Sequence, residues 1–589
     1  MISLSHHLRQ IIFLSLLMFS QGPAAFADAE LPPVLNKKDV VTYKHIFKLQ
    51  EDGKWRAADK AIKTLNNDIL MGHIWFQRYM HPTKYRSKYN ELASWMKKYA
   101  DHPTAWQVYN LARKRQGNAH APRRPITTRY PGVRGQAAPK APPTPKRSKT
   151  ITREIATFTA SIRKNLRRGR LSRAEKYYWA MERRNILTAH ESANALYQIA
   201  RYYFYEGNDI KAQSYSELGA QHSGDSMPSL YWIAAMTHWR HGNIEAAKIH
   251  FLSLTHADRA GDWLRAGAYF WTARAALRQK NPTQANDNLI KAAQYRETFY
   301  GMLATRQLGI KVDIDWSLPP LNKDHLTRLL TYPAVHRAIA LSQINQNNLA
   351  DEEIRLLWGR KGVSVQDDVT ALAAKLNLPA IQLRLSRASG TGHPSPAALR
   401  YPLPHWAPDG GFTVDRAFIF ASIHQESSFQ SKAKSGPGAR GVMQITPATA
   451  RVIARSKPYL QKNRGKLYEP SYNIALGQHY IDYLQESAFV QGNLFMLLSA
   501  YNAGPGNLIR WKREINYHND PLLFIETIPF RETRHHIEIV MTNLWLYRMR
   551  LGQPTPSLDV LAEGGWPTLA RLDPDSDTLI ANIAQATGQ

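Results

Sequence analysis

Glu426 stands near the end of an apolar run, Phe418, Ile419, Ala421, Ser422 and Ile423, within the segment His424-Gln425-Glu426-Ser427-Ser428. Ile419, Ile423 and Glu426 are related by i, i+4 and i+7, so a helix there sets the carboxyl on one face with two isoleucines. Desolvation on such a face raises a carboxyl pKa. An acid that keeps its proton near neutral pH can deliver it to a leaving oxygen, the first step in breaking a glycosidic bond. Two turn-rich polar segments follow, Gly441-Val442-Met443-Gln444-Ile445-Thr446-Pro447 and Ala500-Tyr501-Asn502-Ala503-Gly504. Their glycines permit close approach of a polymer to the backbone. Gln444 offers amide donors and an acceptor, and Met443 a soft apolar wall for a sugar face. Tyr501 offers an aromatic for stacking and Asn502 an amide for an acetamido or hydroxyl group, a set that suits an N-acetylated sugar.

The elements that must position these groups are helices joined by sharp turns. Thr413 is the expected N-cap of the helix carrying Glu426, with Asp415 in its first turn. The cluster Ser435-Gly436-Pro437-Gly438-Ala439-Arg440-Gly441 predicts a tight turn, and Thr446-Pro447 an N-cap followed by proline at the first helical position. Gly504-Pro505-Gly506 predicts another turn before a helix. The Gly, Ser and Pro-rich stretch over 390–404 marks a boundary, so this last domain begins close to Tyr401.

Upstream the chain reads as an all-helical scaffold. Over 30–117 one face carries Trp55, Ala58 and Ile62 and another Leu92, Trp95, Met96 and Tyr99. From 118 to 150 the chain is basic and rich in proline, which predicts a disordered or extended linker. Beyond it Tyr197, Ala200, Gly207-Asn208 and Ala212 recur as Trp232, Ala235, Gly242-Asn243 and Ala247, with a degenerate third copy at Trp271, Ala275, Asn281 and Ala285. Small residues let paired helices approach and Gly-Asn turns the chain between them, the pattern of a tetratricopeptide-like array. A further helical pair is expected at Ala334–Leu341 and Leu349–Leu357.

Taken together, the motifs resemble the soluble lytic transglycosylases of bacterial cell walls, whose catalytic domain shares the goose-type lysozyme fold. Glu426-Ser427 matches the family's catalytic Glu-Ser. Gly441-Val442-Met443-Gln444 matches its Gly-Leu-Met-Gln with Val for Leu, and Ala500 to Gly504 its Ala-Tyr-Asn-Ala-Gly. The stretch Glu526-Thr527-Ile528-Pro529-Phe530-Arg531-Glu532-Thr533-Arg534 matches a motif near the end of that domain, and Asn473-Ile474 through Gly477 and Tyr480 its intervening helix. Thr298-Phe299-Tyr300-Gly301 and Tyr401-Pro402 look like parts of the ring-shaped helical superhelix that precedes the domain in large periplasmic members. The resemblance implies a signal peptide at 1–29, opening helices at 30–117, a superhelical domain at 151–400, a lysozyme-like catalytic domain at 401–552 and an extension at 553–589. It implies Glu426 as the catalytic acid, then base, with Ser427, Ser435, Met443, Gln444, Tyr501, Asn502 and Glu526 as substrate-binding residues. The implied reaction is non-hydrolytic cleavage of the β-1,4 bond between N-acetylmuramic acid and N-acetylglucosamine, giving 1,6-anhydromuramoyl ends. The rivals are a hydrolytic muramidase, which would need a second carboxylate such as Asp482, Glu486 or Glu469, and a silent peptidoglycan-binding scaffold.

Composition narrows the setting. Arg9, an apolar run from Ile11 to Phe19 and Ala25-Phe26-Ala27-Asp28-Ala29 read as a secretory signal peptide, cleaved after Ala27 or Ala29. The run is too short for a bilayer span, so a soluble periplasmic protein is expected. No Cys occurs in the 589 residues, which rules out disulfides and thiolate metal sites. A formal charge of +31 points to anionic partners. Export argues against nucleic acid and for anionic cell-envelope polymers or a membrane surface reached through the basic segments, while the resemblance implies peptidoglycan glycan strands and cell-wall synthesis proteins as partners. A second basic patch, Arg163, Lys164, Arg167, Arg168, Arg170 and Arg173, extends the first. No cofactor is expected. His535-His536 has no partner at ligand spacing, and the scattered histidines read as surface or helix-packing residues.

Overall fold

The computed structural model describes residues 29–128, 142–388, 395–456 and 465–573, and among these every extended regular element is a helix. Strand-like pairing is limited to isolated bridges, among them Lys434 with Arg440 and Arg440 with Ile445. The expected leader lies outside the described residues apart from its last position. No described helix is long and apolar enough to cross a membrane. Packing divides the chain into two units, each assembled from two separated stretches: residues up to 134 with 315–405, and 135–314 with 406 onward.

In the first unit the expected apolar faces turn inward to different depths: Ala58 is buried with Trp55 and Ile62 half-buried beside it, and Tyr99 is half-buried at the end of the second face. Leu92, Trp95 and Met96 are each no more than 2% exposed. Tyr43, Ile46 and Ile74 join one core with Val335, Ile354 and Trp358 from the helices Pro333–Gln343 and Asn347–Lys361. A reciprocal amide pair secures this, with Leu35 N donating to Gln343 Oε1 at 2.9 Å and Gln343 Nε2 donating to Leu35 O at 3.1 Å. The described N-terminal flank of the basic segment is irregular but held, and its C-terminal end already begins the helix Lys149–Arg167. Ile126 N donates to Ala100 O at 3.0 Å and Arg123 to Lys97 O at 3.0 Å.

The second unit holds the repeats as three helix pairs: Ala189–Tyr205 with Asp209–Ser223, Ser229–Arg240 with Ile244–His256, and Asp262–Arg278 with Pro282–Ala293. Gly207 and Gly242 take φ of 76° and 75°, a region that favours glycine. Asn208, Asn243 and Asn281 then cap the following helices through their side chains. The third pair uses Lys280 at φ 55° where the others use glycine, which is why that copy reads as degenerate. Ala200, Ala235 and Ala275 are fully buried where the helices close on one another.

The helix Phe299–Gln307 joins the repeats to the C-terminal helices. Thr298 caps it by accepting from Gly301 N at 3.1 Å, and a Cβ at Gly301 would come within 2.0 Å of Tyr295 O. Phe299 stacks on Trp545 with ring centroids 5.4 Å apart, and the Tyr300 hydroxyl donates to Glu526 Oε1 at 2.6 Å. Residues 553–573, expected as an appendage, are woven into this unit. Leu494 N donates to Pro567 O at 2.8 Å, Trp545 Nε1 to Ser557 Oγ at 3.0 Å, and Trp566 packs on Phe495, Tyr517 and Phe524.

Candidate active site

The helix Arg416–Ser427 runs through the C-terminal core with Ala417 to His424 and Ser427 buried, so its apolar character comes from burial on all sides. Its N-cap is Asp415, not Thr413 as the sequence suggested. The Asp415 carboxylate accepts from Phe418 N at 3.1 Å and from Leu572 N at 2.9 Å, while the Thr413 hydroxyl turns to Asp482 at 3.1 Å. The acid outcompetes the hydroxyl because it can accept several N–H groups and sits 3.7 Å from the buried Arg548 guanidinium. At the other end Ser428 and Phe429 take φ of 49° and 64°, turning the chain away directly after the carboxyl.

Glu426 therefore sits at the C-terminal end of a buried helix with its side chain 16% exposed. Among the described residues no hydrogen bond holds its carboxyl. Burial pushes its pKa up to about 8, and the charge of Glu532 adds to the effect. The His536 ring approaches it, Nδ1 to Oε1 at 3.7 Å. Burial, with a contribution from His535, pushes His536 down to about 4, so the ring is neutral at the pH where Glu426 holds its proton.

The two turn segments converge through Asn473 and Tyr501. Asn473, on the helix Pro470–Gln485, accepts from Met443 N at 2.7 Å and donates to Arg440 O at 3.0 Å and Leu467 O at 2.9 Å. Gly441 has φ 78°, and a Cβ there would meet Leu467 O at 2.1 Å. The Tyr501 hydroxyl donates to Met443 O at 2.8 Å. Its ring lies parallel to that of His536 at 6.5 Å and meets Tyr480 at 5.6 Å, and Tyr480 stacks in turn on the exposed Tyr483. Burial, then the Glu426 charge, keeps the Tyr501 phenol far above its ordinary pKa.

The other expected site residues fall in different places. Gln444 is half-buried and folds its amide back to Gly441 O at 2.8 Å. Asn502 is half-buried and accepts from the Thr533 hydroxyl at 2.7 Å. Ser435 accepts from Ala439 N at 3.0 Å and closes its own turn. Ser427 is buried and bonds back to Ile423 O at 3.2 Å. Met443 is fully buried, and a Cβ at Gly477 would strike its sulfur at 2.2 Å, so the side chain anchors the loop instead of lining a surface. Glu526 is 5% exposed and belongs to the seam with Tyr300; burial raises its pKa. Asp482 and Glu486 line a cavity of about 520 Å³ with Thr413 and Asp415, at the far end of the helix that carries Glu426. Eleven residues at 1.5 Å rise put Asp415 about 16 Å from Glu426 along the axis. Sequence reasoning missed Glu532 and His536 beside Glu426, and Tyr483 stacked on Tyr480. The i, i+3 spacing of Tyr480 and Tyr483 was the available signal for one of them.

Residues 408–522 match the family model described as the transglycosylase SLT domain. The chain is 28% identical over 290 residues to the soluble lytic murein transglycosylase of Salmonella typhimurium, covering 48% of this chain and 44% of that protein. It is 28% identical over 302 residues to the Escherichia coli protein of the same name, covering 50% and 45%. The chain thus spans about half the length of the curated relatives it matches. Among solved structures, an inactive mutant of lytic transglycosylase Slt from Pseudomonas aeruginosa superposes with a TM-score of 0.53 at 18% identity, covering 94% of this chain and 90% of that one. A complex of the 70-kDa soluble lytic transglycosylase with bulgecin A gives 0.58 at 17% identity, covering 90% and 99%. Residues 408–522 form a transglycosylase SLT domain, carried by a chain with the helical fold of the soluble lytic transglycosylase family.

Proposed function

We propose that this protein is a peptidoglycan lytic transglycosylase that cleaves the β-1,4 bond between N-acetylmuramic acid and N-acetylglucosamine. The observation that carries the reading is the Glu426 carboxyl, raised to about 8 by burial and by the nearby Glu532 charge, beside a neutral imidazole and a line of tyrosines. The protonated acid gives its proton to the glycosidic oxygen as the bond to the anomeric carbon breaks. The substrate's N-acetyl oxygen stabilises the positive centre. Glu426, now a carboxylate, takes the proton of the muramoyl 6-hydroxyl, whose oxygen closes the 1,6-anhydro ring. The acid ends protonated as it began, and no water is consumed. Tyr501 and Asn502 orient the acetamido and ring region, and Tyr480 and Tyr483 extend the aromatic surface along the strand.

A hydrolytic route needs a second carboxylate to hold a water. Asp482 and Glu486 are at the far end of the helix, and Glu469 stands at the N-terminus of the helix Pro470–Gln485. We assign 401–552 as the catalytic region, with 30–117 and 151–400 as its scaffold and the periplasm as its location. The exposed Arg163, Lys164, Arg167, Arg168, Arg170 and Arg173 suit contact with an anionic envelope surface. The test is mass analysis of muropeptides released from purified peptidoglycan, with Glu426→Gln alongside. Products one water lighter than reducing muropeptides, absent with the variant, are expected. Reducing products would replace this reading with a muramidase, and no product from either protein with a wall-binding scaffold.

A further inference from the structure

Glu217, His238 and His250 come from three consecutive helices of the repeat array, Asp209–Ser223, Ser229–Arg240 and Ile244–His256. Nε2 of His238 lies 2.7 Å, and Nε2 of His250 3.5 Å, from the same oxygen, Oε1 of Glu217. The two imidazoles are stacked, with centroids 5.4 Å apart and planes 14° from parallel, so both nitrogens aim at one point. Gln213, one turn earlier on the Glu217 helix, donates to that oxygen at 3.2 Å and fixes the carboxylate's orientation. Among the described residues no Lys or Arg pairs with Glu217; the groups that face its carboxylate oxygen are the two imidazoles and the Gln213 amide.

We propose that Glu217, His238 and His250 form a structural site for a divalent transition-metal ion, with zinc the best match, tying three consecutive helices together. Two imidazole nitrogens and one carboxylate oxygen are a zinc donor set, and tetrahedral bonds of about 2.0–2.1 Å place ligands roughly 3.4 Å apart. The His250 separation already has that value, and the His238 contact needs to open by less than about 1 Å. The Glu217 side chain is 32% exposed, leaving a side open for water as fourth ligand. The Gln213 amide supplies the outer hydrogen bond that such carboxylate ligands require.

A second trio shows by contrast what disqualifies such a cluster. His73, His102 and Glu353 are also grouped within ligand range, and all three are buried. There the Arg337 guanidinium occupies both Glu353 oxygens at 2.8 and 2.9 Å, so a cation would be set against a fixed positive charge. Among the described residues no such charge stands at Glu217.

The experiment is calorimetric titration of zinc chloride into the full chain after chelator treatment and removal of any affinity tag. One zinc per chain with micromolar affinity is expected. His238→Ala and His250→Gln should each weaken binding at least tenfold, while His241→Ala, whose ring pairs with Asp209, should not. Cobalt(II) bound in place of zinc should give the intense visible bands of a tetrahedral site, lost in His250→Gln. His250 lies on a half-buried position, so that variant decides the matter if His238→Ala fails to fold. Absence of saturable binding, or binding unchanged in a folded His250→Gln variant, would overturn the site and leave a plain histidine–carboxylate pair.

Discussion

Nδ1 of His536 faces Oε1 of Glu426 across 3.7 Å, and the imidazole is neutral where the carboxyl is protonated. The ring excludes water from the acid without offering it a positive charge. Replacing His536 by Ala should admit water and bring the Glu426 pKa down toward the ordinary range. The alkaline limb of kcat/KM, set by loss of the Glu426 proton, should move to lower pH by roughly one unit or more. A pH–rate profile checks this, and an unmoved limb would show that the ring does not control the acid.

Glu532 raises Glu426 through charge, a smaller cause than burial. Glu532→Gln should shift the same limb in the same direction but by less than His536→Ala. It should leave anhydro products in place. Reducing products lost in Glu532→Gln would instead identify Glu532 as a base for water.

Glu426 also makes stability depend on pH. Its folded pKa is about 8 against an ordinary 4.5, so the native state binds a proton that the unfolded chain releases above that lower value. The stability linked to this proton is full below 4.5 and is lost as pH rises toward 8. Glu426→Gln removes the linkage. The variant should therefore gain on the wild type steadily between those two values, by at most about 5 kcal/mol. Urea unfolding at several pH values measures the difference, and a gap that does not widen with pH would contradict the raised acid.

Asn473 serves three backbone groups of the loop beneath Tyr501. Asn473→Ala strands the Met443 N–H and the Leu467 carbonyl, while Arg440 O keeps its bond from Ile445 N, and should cost roughly 2–4 kcal/mol, with activity falling as the Met443 carbonyl moves. Thermal unfolding and turnover on peptidoglycan should drop together.

Tyr300→Phe tests the seam between the repeats and the C-terminal helices. It removes the hydroxyl that donates to buried Glu526, and should lower stability by about 1–3 kcal/mol while turnover per folded molecule stays unchanged. Loss of turnover in the folded variant would assign Glu526 a part in the reaction.

Local patterns made the repeat helices legible, because Gly207-Asn208 and Gly242-Asn243 encode the turn geometry directly. The burial of Glu426 could likewise be read from Ile419 and Ile423. What the sequence did not disclose is long-range competition. Asp415 took the cap from Thr413 because Leu572 and Arg548, more than 130 positions away, bring it partners. The residues pressed against Glu426 came from the helix Arg531–Arg550, whose register against Arg416–Ser427 is set by packing of Phe420 and His424 on Tyr547. Met443 resembled a groove wall, but the missing side chain of Gly477 opens a buried slot that accepts it. Helical periodicity records which face is apolar, and not which partner will cover it.

The seam at Phe299 and Tyr300 sets a timetable for synthesis. Tyr300 bonds to a carboxylate 226 residues later in the chain, and Phe299 stacks on a ring later still. At about 5–20 residues per second the ribosome needs roughly 11–45 s to supply that partner. Through that interval the completed repeats present an apolar end with nothing to cover it. A factor that shields nascent apolar surface thus has its longest task at the last repeat, well before the helix Arg416–Ser427 is made.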